Sequence, residues 1–347
     1  MQALALVETP DHVCCRYRIR PFLPALERAH CDVDIAGLER QPFARAGQLA
    51  RAARPDVVLL QRKLLSGWQW ALLRRQARRL VFDFDDAVFL RDSYDPRGPN
   101  CPRRARRFAR IAREADLLIA GNAFLAEAAI EAGASPSRVR VIPTCVEPSA
   151  YPVAFDRPRT EGLDLTWIGS SSTLRGIESK ADLWRRVGRS VPSARFRVIC
   201  DRFPRFDPLP VVDVAWAEQT EGAELARGDV GVAWVPDDPW SRGKCGLKVL
   251  QYQAAGLAVI ANPVGVQARM VEPSRNGWLV EDDDSWVAAV REAAGSPDLC
   301  EAMGRAGRAS VEASYSVEGW SGEFVGALTG RPASVAGRPL AAASRAS

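Results

Sequence analysis

Lys244-Cys245-Gly246-Leu247-Lys248-Val249-Leu250-Gln251-Tyr252-Gln253-Ala254-Ala255-Gly256-Leu257-Ala258-Val259-Ile260-Ala261-Asn262-Pro263-Val264-Gly265 reads as a helix, a glycine stop and a buried strand. Leu247, Leu250 and Ala254 recur at helical spacing, Gly256 stands where a left-handed C-terminal cap is wanted, and Leu257 to Ala261 is a short apolar run. Lys244 and Lys248 mark the helix start. A helix N-terminus already favours anions, so two cations there do little for the helix but suit a phosphate gripped together with free backbone N–H groups. Beside a strand end, this is the pattern of a nucleotide-phosphate site.

Working outward, Ala255-Gly256, Val259-Ile260-Ala261 and Pro263-Val264-Gly265 give a small-residue turn, an apolar strand and a glycine-bearing loop, and Asn276-Gly277-Trp278-Leu279-Val280 adds a further strand. This order resembles the signature of the family-4 (group 1) retaining glycosyltransferases of the GT-B fold. The plain alternative is an αβ unit of any doubly wound protein. The resemblance implies a nucleotide-sugar donor on the C-terminal domain, with Val264 and Gly265 in the donor loop. Many members carry two glutamates eight positions apart, the second bonding the nucleotide ribose. In register these fall on Gly243 and Gln251. Gln251 can still pair with a hydroxyl, without charge assistance. Asp237 or Asp238, after the strand Val230 to Val235, is a candidate for the missing carboxylate, and Asp238 is carried as a catalytic candidate beside Lys244 and Lys248.

A chain of 347 residues has length for two domains, and 47% hydrophobic with 26% charged residues are globular values. No 18-residue apolar run occurs, and Met1 to Val7 is too short and uncharged for a signal peptide, so a cytoplasmic protein is expected, with the inner membrane face as a further place. Eight cysteines without C-x-x-C spacing, in a chain with two histidines, point to reduced buried thiols rather than a zinc site. The net charge of +5 is carried by arginine clusters: Arg16/Arg18/Arg20, Arg74/Arg75/Arg78/Arg79 and Arg103/Arg104/Arg106/Arg107/Arg110/Arg113. The last lies on an expected helix, which suits anionic lipid head groups as readily as plain solvation. No basic RNA-binding motif accompanies it, and no nucleic-acid partner is expected.

In chain order, strands are expected at Ala3 to Val7, Val33 to Ala36, Val57 to Leu60, Leu80 to Phe84, Leu117 to Ala120 and Val139 to Ile142, with helices through Phe22 to Ala29, around Trp68 to Arg79, over the last arginine cluster and over Phe124 to Ala132. Pro143 to Gly162 breaks the alternation, which restarts with strand Leu163 to Ile168, helix Ile177 to Arg189, strands Phe196 to Cys200 and Val211 to Val214, and helix Glu218 to Arg227. Alternation means parallel sheets with helices on both faces. The expected fold is α/β: two doubly wound Rossmann-like domains facing across a cleft, as in GT-B. The first spans 1–148, the linker 149–162, the second 163–315, and 331–347 is an unstructured tail. By resemblance, the last helix, about 316–330, packs back on the first domain.

Leu165-Thr166-Trp167-Ile168-Gly169-Ser170-Ser171-Ser172 is a strand running into a small polar turn, the place where open parallel sheets bind ligands. Gly169, Ser170 and Ser171 are donor-site candidates there, with Arg175 following. Asp83-Phe84-Asp85-Asp86 ends a strand. Glycosyltransferases of the other common fold hold a divalent metal through an Asp-x-Asp, but that reading leaves the lysine-marked second domain unexplained. Asp85 and Asp86 are therefore acceptor-side candidates, orienting sugar hydroxyls or capping the chain at Ala87. Arg16 and Arg18, in Arg16-Tyr17-Arg18-Ile19-Arg20, suit an anionic acceptor through bidentate guanidinium contacts, and also a solvated surface. His12 reads as a loop residue.

The expected activity is transfer of a sugar from a nucleotide-diphosphate donor to a saccharide or lipid-linked acceptor, with envelope polysaccharide synthesis the family's common use. The resemblance implies retention of configuration, no metal and no cofactor, the nucleotide-sugar being a substrate. A non-catalytic nucleotide-sugar-binding or scaffold protein is the competing class. A dinucleotide oxidoreductase is disfavoured, since no G-x-G-x-x-G follows Val7 or Ile168.

Overall fold

The computed structural model describes residues 1–51, 54–156 and 161–331. The chain forms two compact units. The first takes Met1–Cys145, Asp238–Cys245 and the chain from Val317 onward; the second takes Val146–Asp237 and Gly246–Ser316. Residues 157–160 of the expected linker and 332–347 of the expected tail lie outside the described residues. Among the described residues no helix is long and apolar enough to cross a membrane.

The first unit holds strands β1 (Gln2–Val7), β2 (Asp32–Gly37), β3 (Val57–Gln61), β4 (Arg79–Phe84), β5 (Leu117–Ala120) and β6 (Val139–Val141) in one sheet of order β2-β1-β3-β4-β5-β6. Every pairing is parallel. The central strands β3, β4 and β5 are almost wholly buried because helices cover both faces, whereas the edge strands β2 and β6 alternate apolar and polar residues and are partly exposed. Helix starts are fixed locally. Ser66 and Gln69 form a capping box ahead of Gly67–Gln76, Pro102 opens Pro102–Glu114, and the Asn122 side chain accepts from the Leu125 N–H at 2.9 Å. The last helix, Val317–Thr329, stacks Phe324 on Phe22 with centroids 4.3 Å apart.

The second unit holds β7 (Leu163–Ile168), β8 (Ala194–Cys200), β9 (Val211–Ala215), β10 (Val230–Ala233), β11 (Ala258–Ala261) and β12 (Gly277–Leu279), again all parallel, in the order β12-β11-β10-β7-β8-β9. Its core is aromatic: Trp184 lies 4.9 Å from Phe196 and 5.7 Å from Trp286, and its indole N–H reaches the Ile177 carbonyl at 3.0 Å.

Several elements differ from the sequence reading. The helix expected over Ile177 to Arg189 is two, Ser171–Glu178 and Ala181–Ser190. The Ser179 hydroxyl turns back to the Gly176 carbonyl at 2.7 Å, and Lys180 leaves helical geometry with ψ 24°. The helix expected over Glu218 to Arg227 is the single turn and a half Glu221–Leu225. Helices Pro42–Arg51, Pro239–Arg242 and Gln267–Met270 are additional. The second domain, expected to be continuous over 163–315, loses Asp238–Cys245 to the first unit. There the Asn122 amide donates to the Gly243 and Lys244 carbonyls at 3.1 Å each, and the Cys245 thiol to the Asp85 carbonyl at 3.2 Å. Val146, expected in the first domain, and the start of the expected linker belong to the second unit: Val146 N–H bonds Tyr315 O at 3.0 Å, and Ala154 N–H bonds Ala255 O at 2.8 Å.

Candidate active site

Strand order reverses between β7 and β10 in the second unit, and crevices at such points, beyond the strands' carboxyl ends, are where open α/β sheets take ligands. The two strands pair only at Val230↔Leu165 and Gly231↔Thr166, and then part. The Tyr252 hydroxyl fills the gap. It accepts from the Ile168 N–H at 3.1 Å and donates to the Val232 carbonyl at 3.1 Å. Gly231 makes room for it, since a Cβ there would run into the Tyr252 ring.

Just past β7, Gly169 lies against Trp167: a Cβ at 169 would come within 2.6 Å of the indole. The turn then enters Ser171–Glu178 through Ser170, whose hydroxyl lies 2.8 Å from that of Ser172. Lys248 comes to the same indole, its ammonium 5.2 Å from the ring centroid. Trp167 thus joins the glycine turn to a lysine across the switch point. Ser171 N–H is taken by the Asp201 carboxylate at 2.7 Å. Hydrogen bonds from the Cys200 thiol and from Ser171 hold the Asp201 carboxyl down at about 2. Arg175 is exposed on the same helix, while Lys180 turns to Asp283 at 3.0 Å.

Helix Leu247–Ala254 begins after Gly246, which is left-handed at φ 67°. Lys248 is in its first turn, whereas Lys244 precedes it and belongs to the first unit. The two lysines expected together at one helix start are separated by that left-handed residue. Gln251 is buried and donates to Glu221 at 2.9 Å; Glu221 also accepts from the Trp216 indole at 2.8 Å. Beyond β11, the Asn262 amide clamps Val235, accepting from its N–H at 3.0 Å and donating to its carbonyl at 2.7 Å. This positions Val264, which is buried, and Gly265, whose φ of 58° suits glycine.

In the first unit the reversal falls between β1 and β3, and charged groups gather at the carboxyl ends of β3 and β4. Arg18 is 2% exposed and bonds Asp83 through Nη2 at 2.5 Å and Nε at 3.2 Å, with Nη1 on the Ile142 carbonyl at 2.7 Å. Burial works to lower its pKa, but Asp83 overrides this and the net shift is upward. Arg18 is therefore not available to an acceptor, contrary to the sequence reading. Arg16 lies over the Tyr17 ring at 4.7 Å and donates to its hydroxyl at 2.7 Å. His12 caps the next helix, its Nδ1 accepting from Cys14 N–H at 3.2 Å.

Arg62, not singled out in the sequence, is left-handed at φ 58°, a conformation that costs a non-glycine residue about 1–2 kcal/mol. Its guanidinium donates to Asp86 at 2.6 Å, lies 3.5 Å from Asp85 and contacts the Cys14 thiol. Burial pushes the Asp86 carboxyl up against the pull of Arg62 and Lys244. For Asp85 burial also works upward, but Arg62 and Arg18 bring it net below its ordinary value. Asp83, Asp85 and Asp86 thus face guanidinium groups where the metal reading would need a cation. Among the described residues no group of three or more His, Cys, Asp or Glu could hold a metal ion. Asp238 caps Pro239–Arg242, accepting from Ser241 N–H at 2.8 Å. Lys244 Nζ lies 5.7 Å from the Trp240 ring centroid.

Residues 11–145 match the glycosyl transferase 4-like domain, and residues 214–295 match the glycosyl transferases group 1 domain. The chain belongs to the group 1 glycosyltransferases. Similar solved structures show that this glycosyltransferase has the GT-B fold. Sucrose-phosphate synthase from Thermosynechococcus elongatus is 19% identical, with TM-score 0.72 over 92% of this chain and 96% of that one. Anabaena HepE in complex with UDP-glucose is 13% identical, with TM-score 0.71 over 95% and 100%. A glycosyltransferase from Rickettsia africae is 12% identical, with TM-score 0.67 over 91% and 94%. No curated protein matches the chain.

Proposed function

We propose that this glycosyltransferase moves a sugar from a nucleoside diphosphate donor to a saccharide or lipid-linked acceptor, with retention of configuration and without a metal or cofactor. The observation that carries the donor site is the meeting of the Gly169 turn and the Lys248 ammonium on Trp167 at the β7/β10 switch point. A helix start and a fixed cation there would stabilise the charge growing on the departing diphosphate. HepE, of the same fold, is described in complex with UDP-glucose and with UDP, which favours a uridine diphosphate sugar. In this reading the bond from the sugar's anomeric carbon to the diphosphate breaks, the acceptor oxygen bonds that carbon on the same face, and the departing phosphate takes the acceptor's proton. No enzyme nucleophile is required. Asp85 and Asp86, fixed by Arg62 and with Lys244 beside Asp86, orient the acceptor's hydroxyls.

One observation favours a non-catalytic binder instead. At Gly243, the register of the family's first glutamate, a Cβ would lie 2.8 Å from that of Ala87, so no side chain fits.

Calorimetry against UDP, GDP, ADP and dTDP without metal tests the donor site. One nucleotide should bind preferentially, and Lys248→Ala should weaken it about 10- to 100-fold, the worth of a charged hydrogen bond. Binding that needs a divalent cation and survives the substitution would remove Lys248 from the site. Nucleotide binding with no release of diphosphate across a panel of acceptors would leave the binder.

A further inference from the structure

We propose that the first unit docks on an anionic lipid bilayer through Phe43 and Trp68, ringed by Arg45, Arg103, Arg107 and Arg110. Phe43 is 86% exposed and Trp68 48% exposed, and their rings meet at 6.3 Å, so two large aromatics share one patch of surface. An exposed apolar patch of this kind marks a docking site. Helix Pro102–Glu114 does not itself insert: Phe108, Ile111 and Ala112 face the core, Phe108 lying 5.3 Å from Phe84.

The arginines around the pair answer to backbone. Arg45 donates to the Arg40 carbonyl at 3.0 Å, Arg107 to the Leu64 carbonyl at 3.0 Å, and Arg110 lies over Gly67, where a Cβ would approach its Nη1 to 2.6 Å. Among the described residues none of the four lies within ion-pair distance of a carboxylate. Several arginines outside the patch are paired with carboxylates, as Arg74 is with Asp116 at 2.6 Å and Arg185 with Asp182 at 2.7 Å. Arg45 Nε is buried without a partner. Burial and the like charges of Arg103 and Arg45 pull the Arg107 pKa below its ordinary value. A cluster of cations that repel one another is stabilised when anions arrive, and aromatic rings framed by arginine are the composition that settles at a lipid interface.

Phe43, Trp68 and Arg103 are each the second residue of a helix, and these helices follow β2, β3 and β4. All three therefore begin at the edge of the first sheet that carries Arg62, Asp85 and Asp86. A bilayer docked there lies at the acceptor edge, whatever the acceptor proves to be.

Flotation of the full chain with phosphatidylcholine vesicles, and with vesicles of equal parts phosphatidylcholine and phosphatidylglycerol, tests this. The protein should float with the anionic vesicles alone. Arg103→Ser and Arg107→Ser should each lower partitioning about fivefold. Phe43→Ser with Trp68→Ser should remove the binding that survives high salt, while Arg189→Ser in the second unit should change nothing. Circular dichroism identical to that of the wild type ties any loss to the surface. Absent flotation, or flotation equal in all variants, overturns the proposal. So does single-stranded RNA displacing the protein from the vesicles through the same arginines, which would make the patch a nucleic-acid site.

Discussion

Asp201 bears most directly on the proposed donor site at the scale of a single residue. Its carboxylate holds the Ser171 N–H at 2.7 Å, a negative charge at the helix start where a diphosphate would come. With its pKa held down at about 2, against about 3.9 for a free aspartate, the ionised form stabilises the fold. That stabilisation is present above about pH 4 and is lost as pH falls through about 2. Thermal unfolding of the wild type and Asp201→Asn should therefore differ at pH 5 and converge toward pH 2. At pH 7, Asp201→Asn should tighten nucleotide binding a few-fold in calorimetry, because a like charge leaves the phosphate site. Unchanged affinity would place the phosphate away from Ser171. Such residues were partly legible in the sequence. The turn at Gly169 and the place of Lys248 in a helix's first turn were, because a glycine turn after a strand and a cation at a helix start are local patterns. Arg18 was misread, because its partner Asp83 is 65 residues away and nothing local separates a buried arginine from a solvated one. Arg62 was missed, since its left-handed backbone is set by the sheet edge rather than by its own type.

Between β7 and β10, one side chain does the work of a strand pairing. Tyr252 spans the gap left where the two strands part, and the same parting opens the crevice. Tyr252→Phe keeps the ring but leaves the Ile168 N–H and the Val232 carbonyl without their partner, at about 1–3 kcal/mol for each buried group. The urea midpoint should fall accordingly, and nucleotide affinity should fall with it as the Gly169 turn loosens. Full stability in the variant would mean that the strands close on each other instead. Strand positions were legible because β3, β5, β10 and β11 are short apolar runs between breakers. Helix boundaries were less so. The split at Ser179 depends on a side-chain bond back to Gly176, and Pro42–Arg51 shows only Phe43 and Leu49 as large apolar residues, too few for a periodic signal. The helix of the Lys244–Gly265 stretch was read as starting at Lys244, although Lys244 and Cys245 fold with Asn122 and Asp85 and the helix begins at Leu247.

Over the whole chain, the two units are built from discontinuous segments, and the last helix joins the first one. Val317, Phe324, Ala327 and Leu328 share a core with Ile19, Phe22 and Leu26, and the Arg79 side chain bonds the Ala327 carbonyl at 3.0 Å. More than 170 residues separate that helix in sequence from the last strand of its sheet, β6 (Val139–Val141). Contacts so distant in sequence fold late and rest on packing. Phe324→Ala removes the ring stacked on Phe22 and should cost about 3–5 kcal/mol. The loss belongs to the first unit, since each unit has its own core. Hydrogen exchange followed by mass spectrometry should then show lost protection in β1 and β3, with β7 and β8 protected as in the wild type. Equal loss in all four strands would mean that the two cores open in one cooperative step, so that the last helix stabilises the whole chain rather than the unit it packs in.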